Sequence, residues 1–284
     1  MVKNSSTPYG QVYVIATPIG NLDDISKRAI DTLKEVDIIA AEDTRHSKIL
    51  LQHLGINTPL ISLHSHNETL KSQQLLNRVC NGESMGLISD AGTPLISDPG
   101  FPLVRAAREL GIHVIPVPGC CAFITALSAS GIPCQQFFFA GFLAAKSSAR
   151  REMLLQYKSY AQTIILYEST HRLYDSLSDI EYIYGSDFSL QIAKELTKTH
   201  EKFVNGTVNE IKSWLDKDKN HIKGEFVIIL PPFIKNDDNG LAESQKILTI
   251  LLQELPLKQA VKLTADLTDQ NKNLLYKMAL KLNR

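Results

Sequence analysis

From Val12 to Ser130 the chain alternates short β-rich runs with helical stretches, and this alternation leaves few architectures open to it. Val12–Ala16, Asp37–Ala41, Leu60–Leu63, Met85–Ser89 and His113–Val117 read as extended segments. Ile25–Val36, Ser47–Leu54, Glu68–Cys80, Phe101–Leu110 and Ala122–Ser130 read as helices between them, with Leu22, Ile25, Ala29 and Leu33 on one stripe. Strands separated by helices predict a mostly parallel sheet covered on both faces.

The pattern changes near Pro133. Phe137–Ala140, Thr163–Tyr167, Leu190–Lys194, Lys202–Asn205 and Phe226–Leu230 read as strands, with helices at Arg150–Tyr160, Arg172–Tyr184 and Val208–Leu215. More strands per helix predict a mixed sheet, hence a second α/β domain. Pro231–Gly240 has linker composition. Beyond it, Leu248, Leu251, Leu252 and Leu255 share one helical face and Leu275, Met278, Ala279 and Leu282 another, with Pro256 at a helix start. The expected domains are 1–132 and 133–232, both α/β, and a helical module over 240–284 of helix-turn-helix type.

Hydrophobic residues make up 44% of the 284, enough to bury a core. Thirty basic residues balance thirty acidic ones, so net charge gives no general pull toward nucleic acid and any such contact has to come from local basic patches. Met1–Gly10 lacks the apolar stretch of a signal peptide, and no apolar run is long enough to span a bilayer, which predicts a cytoplasmic protein without membrane contact. Cys80, Cys120, Cys121 and Cys134 follow neither a disulfide framework nor a zinc spacing.

The chemistry-bearing residues gather where predicted strands end. Thr17-Pro18-Ile19-Gly20-Asn21 follows the first strand, the position at which open α/β sheets bind ligands, though it has only one glycine of a nucleotide fingerprint. Ser89-Asp90-Ala91-Gly92-Thr93-Pro94, continuing to Gly100, packs glycines, prolines and aspartates into one shaped loop. Glu42-Asp43-Thr44-Arg45-His46 can supply a general base with a group that tunes it, or merely a capped helix start. His64 and His66 alternate as on a strand end, but no third ligand is placed by spacing, so polar substrate contact is expected rather than a metal. Tyr167–Arg172, Ala193–Lys198 and Lys223–Phe226 are further charged strand ends that point to a shared cleft. Lys146, Arg150, Arg151 and Lys158, around one helix, can track phosphates or simply form a solvated face.

Taken together, TPIGNLDDIS, AAEDTRHS, SLHSHNE, SDAGTPLISDPG, ALSASGIP, YESTHR, ELTKTHE and KGEFV resemble the ribosomal RNA small subunit methyltransferase I family over residues 11–230, and ELPLKQAVKL with NKNLLYKMAL resembles its helical tail. TPIGN is shared more loosely with the tetrapyrrole methyltransferases, whose class III methyltransferase fold the family has. The resemblance implies two α/β domains with S-adenosylmethionine in the cleft between them, a homodimer, and 2′-O-methylation of a cytidine ribose in the decoding region of 16S rRNA. It places cofactor contacts on Pro18, Ala91, Gly92, Thr93, Ile96, Cys121, Ala122, Glu168 and Thr197, and the two strand-end turns themselves add Gly20 and Asp90 as candidates. Asn21, His64, His66, Lys146, Arg150, Arg151 and Arg172 are the candidate substrate contacts.

A sulfonium methyl is already activated, so no metal is required. A ribose hydroxyl is protonated at neutral pH, and a base has to take its proton during attack. Glu42, Asp43 and Glu195 are the candidate bases, with Asp90 behind them and Arg45, Lys194 and Arg172 as clamps. The carboxylates of the EDTR motif are the favoured source of that base. Two other functions fit parts of the sequence: methylation of a tetrapyrrole ring, which needs neither helical module nor basic helix, and nucleotide or RNA binding without catalysis, which needs no strand-end carboxylates.

Overall fold

The computed structural model describes residues 9–233, 237–268 and 270–282, and side chains in all of these except 237–243. The expected parallel sheet is present. β1 (Gln11–Ile15), β2 (Ile38–Ala41), β3 (Leu60–Ser62), β4 (Met85–Ile88) and β5 (His113–Val117) lie in the order β3-β2-β4-β1-β5, all parallel. α1 (Lys27–Glu35), α2 (Thr44–His53), α3 (Glu68–Cys80) and α4 (Phe101–Glu109) connect them, and α5 (Ala122–Ser130) follows β5.

Strand alternation divides the core between the two faces. Ile38 and Ala40 pack with Leu75, Leu76, Leu103 and Ala107 of α3 and α4. Ile39 and Ala41 pack on the opposite side with Ala29 and Leu33 of α1 and Leu51 of α2. Both faces being covered, β2 and β4 are buried at every residue, which is why IIAA and MGLI are apolar runs rather than alternating ones.

The second sheet is mixed, as its strand-rich pattern predicted. β6 (Phe137–Phe142), β7 (Thr163–Ser169), β8 (Ser189–Lys194), β9 (Lys202–Thr207) and β10 (Glu225–Leu230) run β6-β7-β10-β8-β9, with only β6 and β7 parallel. α6 (Ser147–Lys158), α7 (Leu173–Tyr184) and α8 (Val208–Asp216) complete it. α5 packs against this second sheet: Ala126 and Leu127 meet Ile165, Ala193, Val227 and Ile229. Both sheets belong to one compact unit, Met1–Pro232, and α5 ties together the two halves that the sequence divides at 132 and 133.

A second compact unit is Phe233–Arg284. Its helices α9 (Asp237–Glu254), α10 (Leu257–Thr268) and α11 (Lys272–Leu282) surround Leu248, Ala260, Val261, Ala265, Leu275 and Ala279. α9 begins inside the segment that reads as a linker, and residues 234–236 of that segment lie outside the described residues. No helix among the described residues is long and apolar enough to cross a membrane.

The basic helix α6 corrects one expectation. Arg150 is 3% exposed and cannot reach a phosphate; its guanidinium is paired with Asp179 of α7 at 2.6 Å. Arg151 binds the other oxygen of Asp179 at 2.5 Å and stacks over Tyr182, while Ser147 donates to the same carboxylate. Lys158 donates to the Ile183 carbonyl. Of the four basic residues, Lys146 stays exposed, and Arg151 keeps a half-open side chain. Removing one partner of a buried pair leaves the other charge stranded. Arg150→Ala is therefore expected to cost about 3–5 kcal/mol, read as a lower urea midpoint, whereas Lys146→Ala leaves the midpoint in place.

Candidate active site

Because the five strands of the first sheet are parallel, the loops after them all emerge at one edge. They are stitched to one another there. Thr17 and Gly92 exchange backbone hydrogen bonds, N–H to O at 2.9 Å and 3.1 Å, joining the TPIG and SDAG turns. Thr93 Oγ1 donates to the Cys120 carbonyl at 2.9 Å, bringing in the loop after β5. The Asp43 N–H donates to Asp90 Oδ1 at 3.0 Å, and the Gly100 N–H to Glu68 Oε2 at 2.9 Å, attaching the loops after β2 and β3.

This edge and the second sheet enclose a cavity of about 330 Å³. Ile19, Ala91, Gly92, Thr93, Ile96, Asp98, Cys121 and Ala122 line one side; Phe142, Tyr167, Glu168, Leu196, Phe226 and Val227 line the other. Tyr167 bridges the two, accepting the Phe123 N–H of α5 at 3.1 Å. The surrounding backbone is strained. Leu95, Ser97, Glu195 and Thr197 all have positive φ, 71°, 71°, 51° and 65°, and Ala161 is the one other non-glycine residue of that kind among the described residues. Each such residue costs on the order of 1–3 kcal/mol and persists where surrounding structure enforces it, as at ligand sites.

A second cavity of about 250 Å³ adjoins the first, sharing Ile19, Ala91 and Glu225 with it. Its other walls are Pro18, Gly20, Leu22, His46, Ser47, Leu50, Ser89, Asp90 and Lys198.

Of the nearby carboxylates, Asp98 lines the larger cavity, whereas Glu42, Asp43 and Glu195 line neither, Glu42 lying within electrostatic reach of Asp98 and Asp90, and the four differ sharply. Burial pushes Asp98 up to about 6, the charge of Asp90 adds to this, and a hydrogen bond from Ser89 opposes it. Glu42 is also raised, first by burial and then by the negative charges of Asp98, Asp90 and Asp43. Asp43 goes the other way. It caps α2 by accepting the Arg45 N–H and holds the Arg45 guanidinium at 2.7 Å, so its carboxyl lies well below the usual carboxylate range. For Glu195 burial opposes ionisation, but hydrogen bonds from Lys198 and from the Glu225 N–H outweigh it and hold the pKa low. Asp43 and Glu195 are thus committed to structural partners and are weak proton acceptors, while Glu42 keeps a more basic carboxylate.

Of the expected cofactor contacts, Ala91, Gly92, Thr93, Ile96, Cys121, Ala122 and Glu168 line the larger cavity, and Pro18, Gly20 and Asp90 the smaller. Thr197 lines neither; its buried Oγ1 has no hydrogen-bond partner. Glu168 is buried, and accepts from the Ser169 N–H at 2.8 Å and from Ser176 Oγ at 2.5 Å.

The expected clamps and substrate contacts are more scattered. Lys194 is 6% exposed, too buried to meet a macromolecular substrate as a clamp. Arg172 is turned inward onto the Leu143 and Ala144 carbonyls, and Arg45 projects into solvent beside Asp43. Asn21 caps the short 3-10 turn Leu22–Asp24 by accepting the Asp23 N–H at 3.1 Å. His64 pairs with Asn67 at 3.1 Å, with exposed His66 edge-on to it. Among the described residues no group of His, Cys, Asp or Glu could hold a metal ion.

Asp98 was missed from sequence, although it lies in the quoted SDAGTPLISDPG loop. Only the two left-handed turns at Leu95 and Ser97 bring it back to the cavity that Ala91–Thr93 begin, and nothing in LIS announces positive φ.

Residues 11–212 match the family described as Tetrapyrrole (Corrin/Porphyrin) Methylases, and residues 238–283 the RsmI C-terminal HTH domain. Two solved structures share the fold: cobalt precorrin-4 methyltransferase, a cobalamin biosynthetic enzyme, with TM-score 0.60 and 16% identity over 78% of this chain and 94% of that one, and diphthine synthase, with TM-score 0.63 and 12% identity over 78% and 90%. The two sheets and the cleft between them are those of the class III, or tetrapyrrole-methylase, methyltransferases. Proteins named ribosomal RNA small subunit methyltransferase I from Escherichia coli O157:H7 and Haemophilus influenzae are 48% and 49% identical, covering 98% and 95% of this chain and 97% and 96% of their own. The chain belongs to the ribosomal RNA small subunit methyltransferase I family.

Gly20 is held tightly in the site. A Cβ there would stand 2.9 Å from Thr197 Oγ1, 3.0 Å from the Leu196 carbonyl and 2.5 Å from Lys198 Cγ. The glycine is needed for contact with the turn after β8, not only for approach to a ligand. Gly20→Ala is expected to force the TPIG turn off the Leu196–Lys198 turn, lowering Tm by several degrees and weakening cofactor affinity together, measured by calorimetric melting and titration.

Proposed function

We propose that this protein transfers the methyl group of S-adenosylmethionine to the 2′-oxygen of a cytidine ribose in the decoding region of 16S rRNA. The observation that carries the reading is the pair of adjoining cavities, the larger mainly apolar with a carboxylate at Asp98. The residues fit the cofactor: Ile19, Ile96, Leu196 and Val227 suit its apolar body and Asp98 its positive charge, whereas the Glu168 carboxylate is already taken up by Ser169, Ser176 and Arg172. The tetrapyrrole alternative has less support. Relatives matching nearly the full length carry the ribosomal RNA name, while the cobalamin enzyme matches at 16% identity over 78% of the chain.

When bound, S-adenosylmethionine supplies an electrophilic methyl on a sulfonium. Asp98 holds the cationic cofactor by charge. Glu42 removes the ribose hydroxyl proton as the oxygen attacks, its raised pKa matching it to that task better than Asp43 or Glu195. The adjoining cavities hold hydroxyl and methyl in reach of one another. The helical unit supplies further contact to the rRNA, and the protein works in the cytoplasm as a homodimer.

Calorimetric titration with S-adenosylmethionine, followed by labelling of 30S subunits from a strain lacking this gene, tests the reading. Binding with label on a ribose 2′-oxygen is the expected result; label on no rRNA discards it. Glu42→Gln is expected to bind cofactor normally and to lose about a hundredfold in transfer rate; an undiminished rate removes Glu42 as the base. Asp98 gives a pH signature. Its pKa is raised to about 6, so the carboxyl takes up a proton as pH falls through that value and the negative charge facing the cofactor is lost. Cofactor affinity should therefore weaken as pH falls through about 6, and Asp98→Asn should be weak at every pH with that step absent.

A further inference from the structure

The smaller cavity holds polar groups that the cofactor fit to the larger one leaves unused, Asp90 among them although its turn made it a candidate cofactor contact. Ser47, on α2, is 2% exposed, lines this cavity, and its Oγ finds no hydrogen-bond partner. A buried hydroxyl without a partner is costly unless a ligand supplies one. Asp90 lines the same cavity, its carboxylate held in place by the Asp43 N–H at 3.0 Å. Leu22, 41% exposed, and Leu50 give apolar surface, and exposed His46 adds a ring nitrogen. Apolar surface facing fixed polar groups is what a nucleoside requires, a flat base on one side and ribose hydroxyls on the other.

Resting on the proposed function, we infer that this cavity receives a single nucleoside swung out of the RNA stack. Its base lies against Leu22 and Leu50, and its ribose is hydrogen-bonded by Ser47 and Asp90. The shared walls Ile19 and Ala91 put the ribose next to the larger cavity, where the methyl donor is assigned. An enzyme acting on a nucleotide within structured RNA gains access by extruding it, and a cavity of about 250 Å³ has room for one such unit rather than a stacked segment. Specificity then comes from the fit of one nucleoside as well as from the charge of the surrounding surface.

Two variants test this without disturbing the core. Leu22→Trp fills the mouth from an exposed position, and Ser47→Ala removes only the unpartnered hydroxyl. Both are expected to bind S-adenosylmethionine within about twofold of the parent. Leu22→Trp should lower kcat/KM for 30S subunits by about a hundredfold, and Ser47→Ala by about tenfold, the size of a lost buried hydrogen bond. Parental transfer rates in both variants overturn the assignment. If the parent binds cofactor but labels no rRNA, the proposed function fails instead. The cavity is then judged by binding of a short cytidine-containing oligoribonucleotide to the cofactor-loaded protein. Binding by the parent and its loss in Leu22→Trp uphold a nucleoside pocket; no binding by the parent, or equal binding by both, removes it.

Discussion

The pair of backbone hydrogen bonds between Thr17 and Gly92 sets the geometry from which the site is built. Parallel strands end with their loops side by side, and those loops carry backbone groups that have lost the sheet's own partners. Joining the turn after β1 to the turn after β4 satisfies two such pairs and fixes the floor on which both cavities rest. Thr93, Asp90 and Glu68 extend the same solution to the loops after β5, β2 and β3. Residues far apart in sequence become one surface through main-chain geometry more than through side-chain packing.

That surface divides its carboxylates by environment. Asp43 and Glu195 have cations and backbone donors within reach and remain ionised structural anchors. Asp98 and Glu42 are partly buried among other negative charges, and holding a proton becomes easier for both. Neighbouring acidic residues in one short motif, Glu42 and Asp43, therefore have opposite proton affinities. Their neighbours separate them, the charges of Asp90 and Asp98 for Glu42 and the Arg45 guanidinium for Asp43.

Much of this was legible in the chain. Apolar runs such as IIAA and MGLI identified the buried parallel strands, and TPIGN with SDAGTP marked the turns that line the two cavities, because Gly and Pro punctuation depends on local backbone needs. Charged side chains were legible only where nothing distant claimed them. Arg150 read as a phosphate contact because Asp179, 29 residues on, faces it only once α6 and α7 pack. Arg172 similarly turned inward to carbonyls that no local pattern reveals. Asp98 needed the reverse correction, since strained turns carried an ordinary-looking loop aspartate back to the cavity.

Helix α5 begins at the wall of the larger cavity with Ala122 and continues to Ala126 and Leu127 in the core of the second sheet. It follows β5 of the first sheet directly, so neither sheet can come apart without disturbing the walls of that cavity. Whatever fills the cavity in the native state is lost on unfolding, and its binding free energy adds to the stability of both sheets at once. Ligand at a hundred times its dissociation constant adds about 2.7 kcal/mol in this way. Occupancy thus acts as a mechanical clasp on the whole unit, making the loaded protein harder to unfold or digest than the empty one, even at sites remote from the ligand.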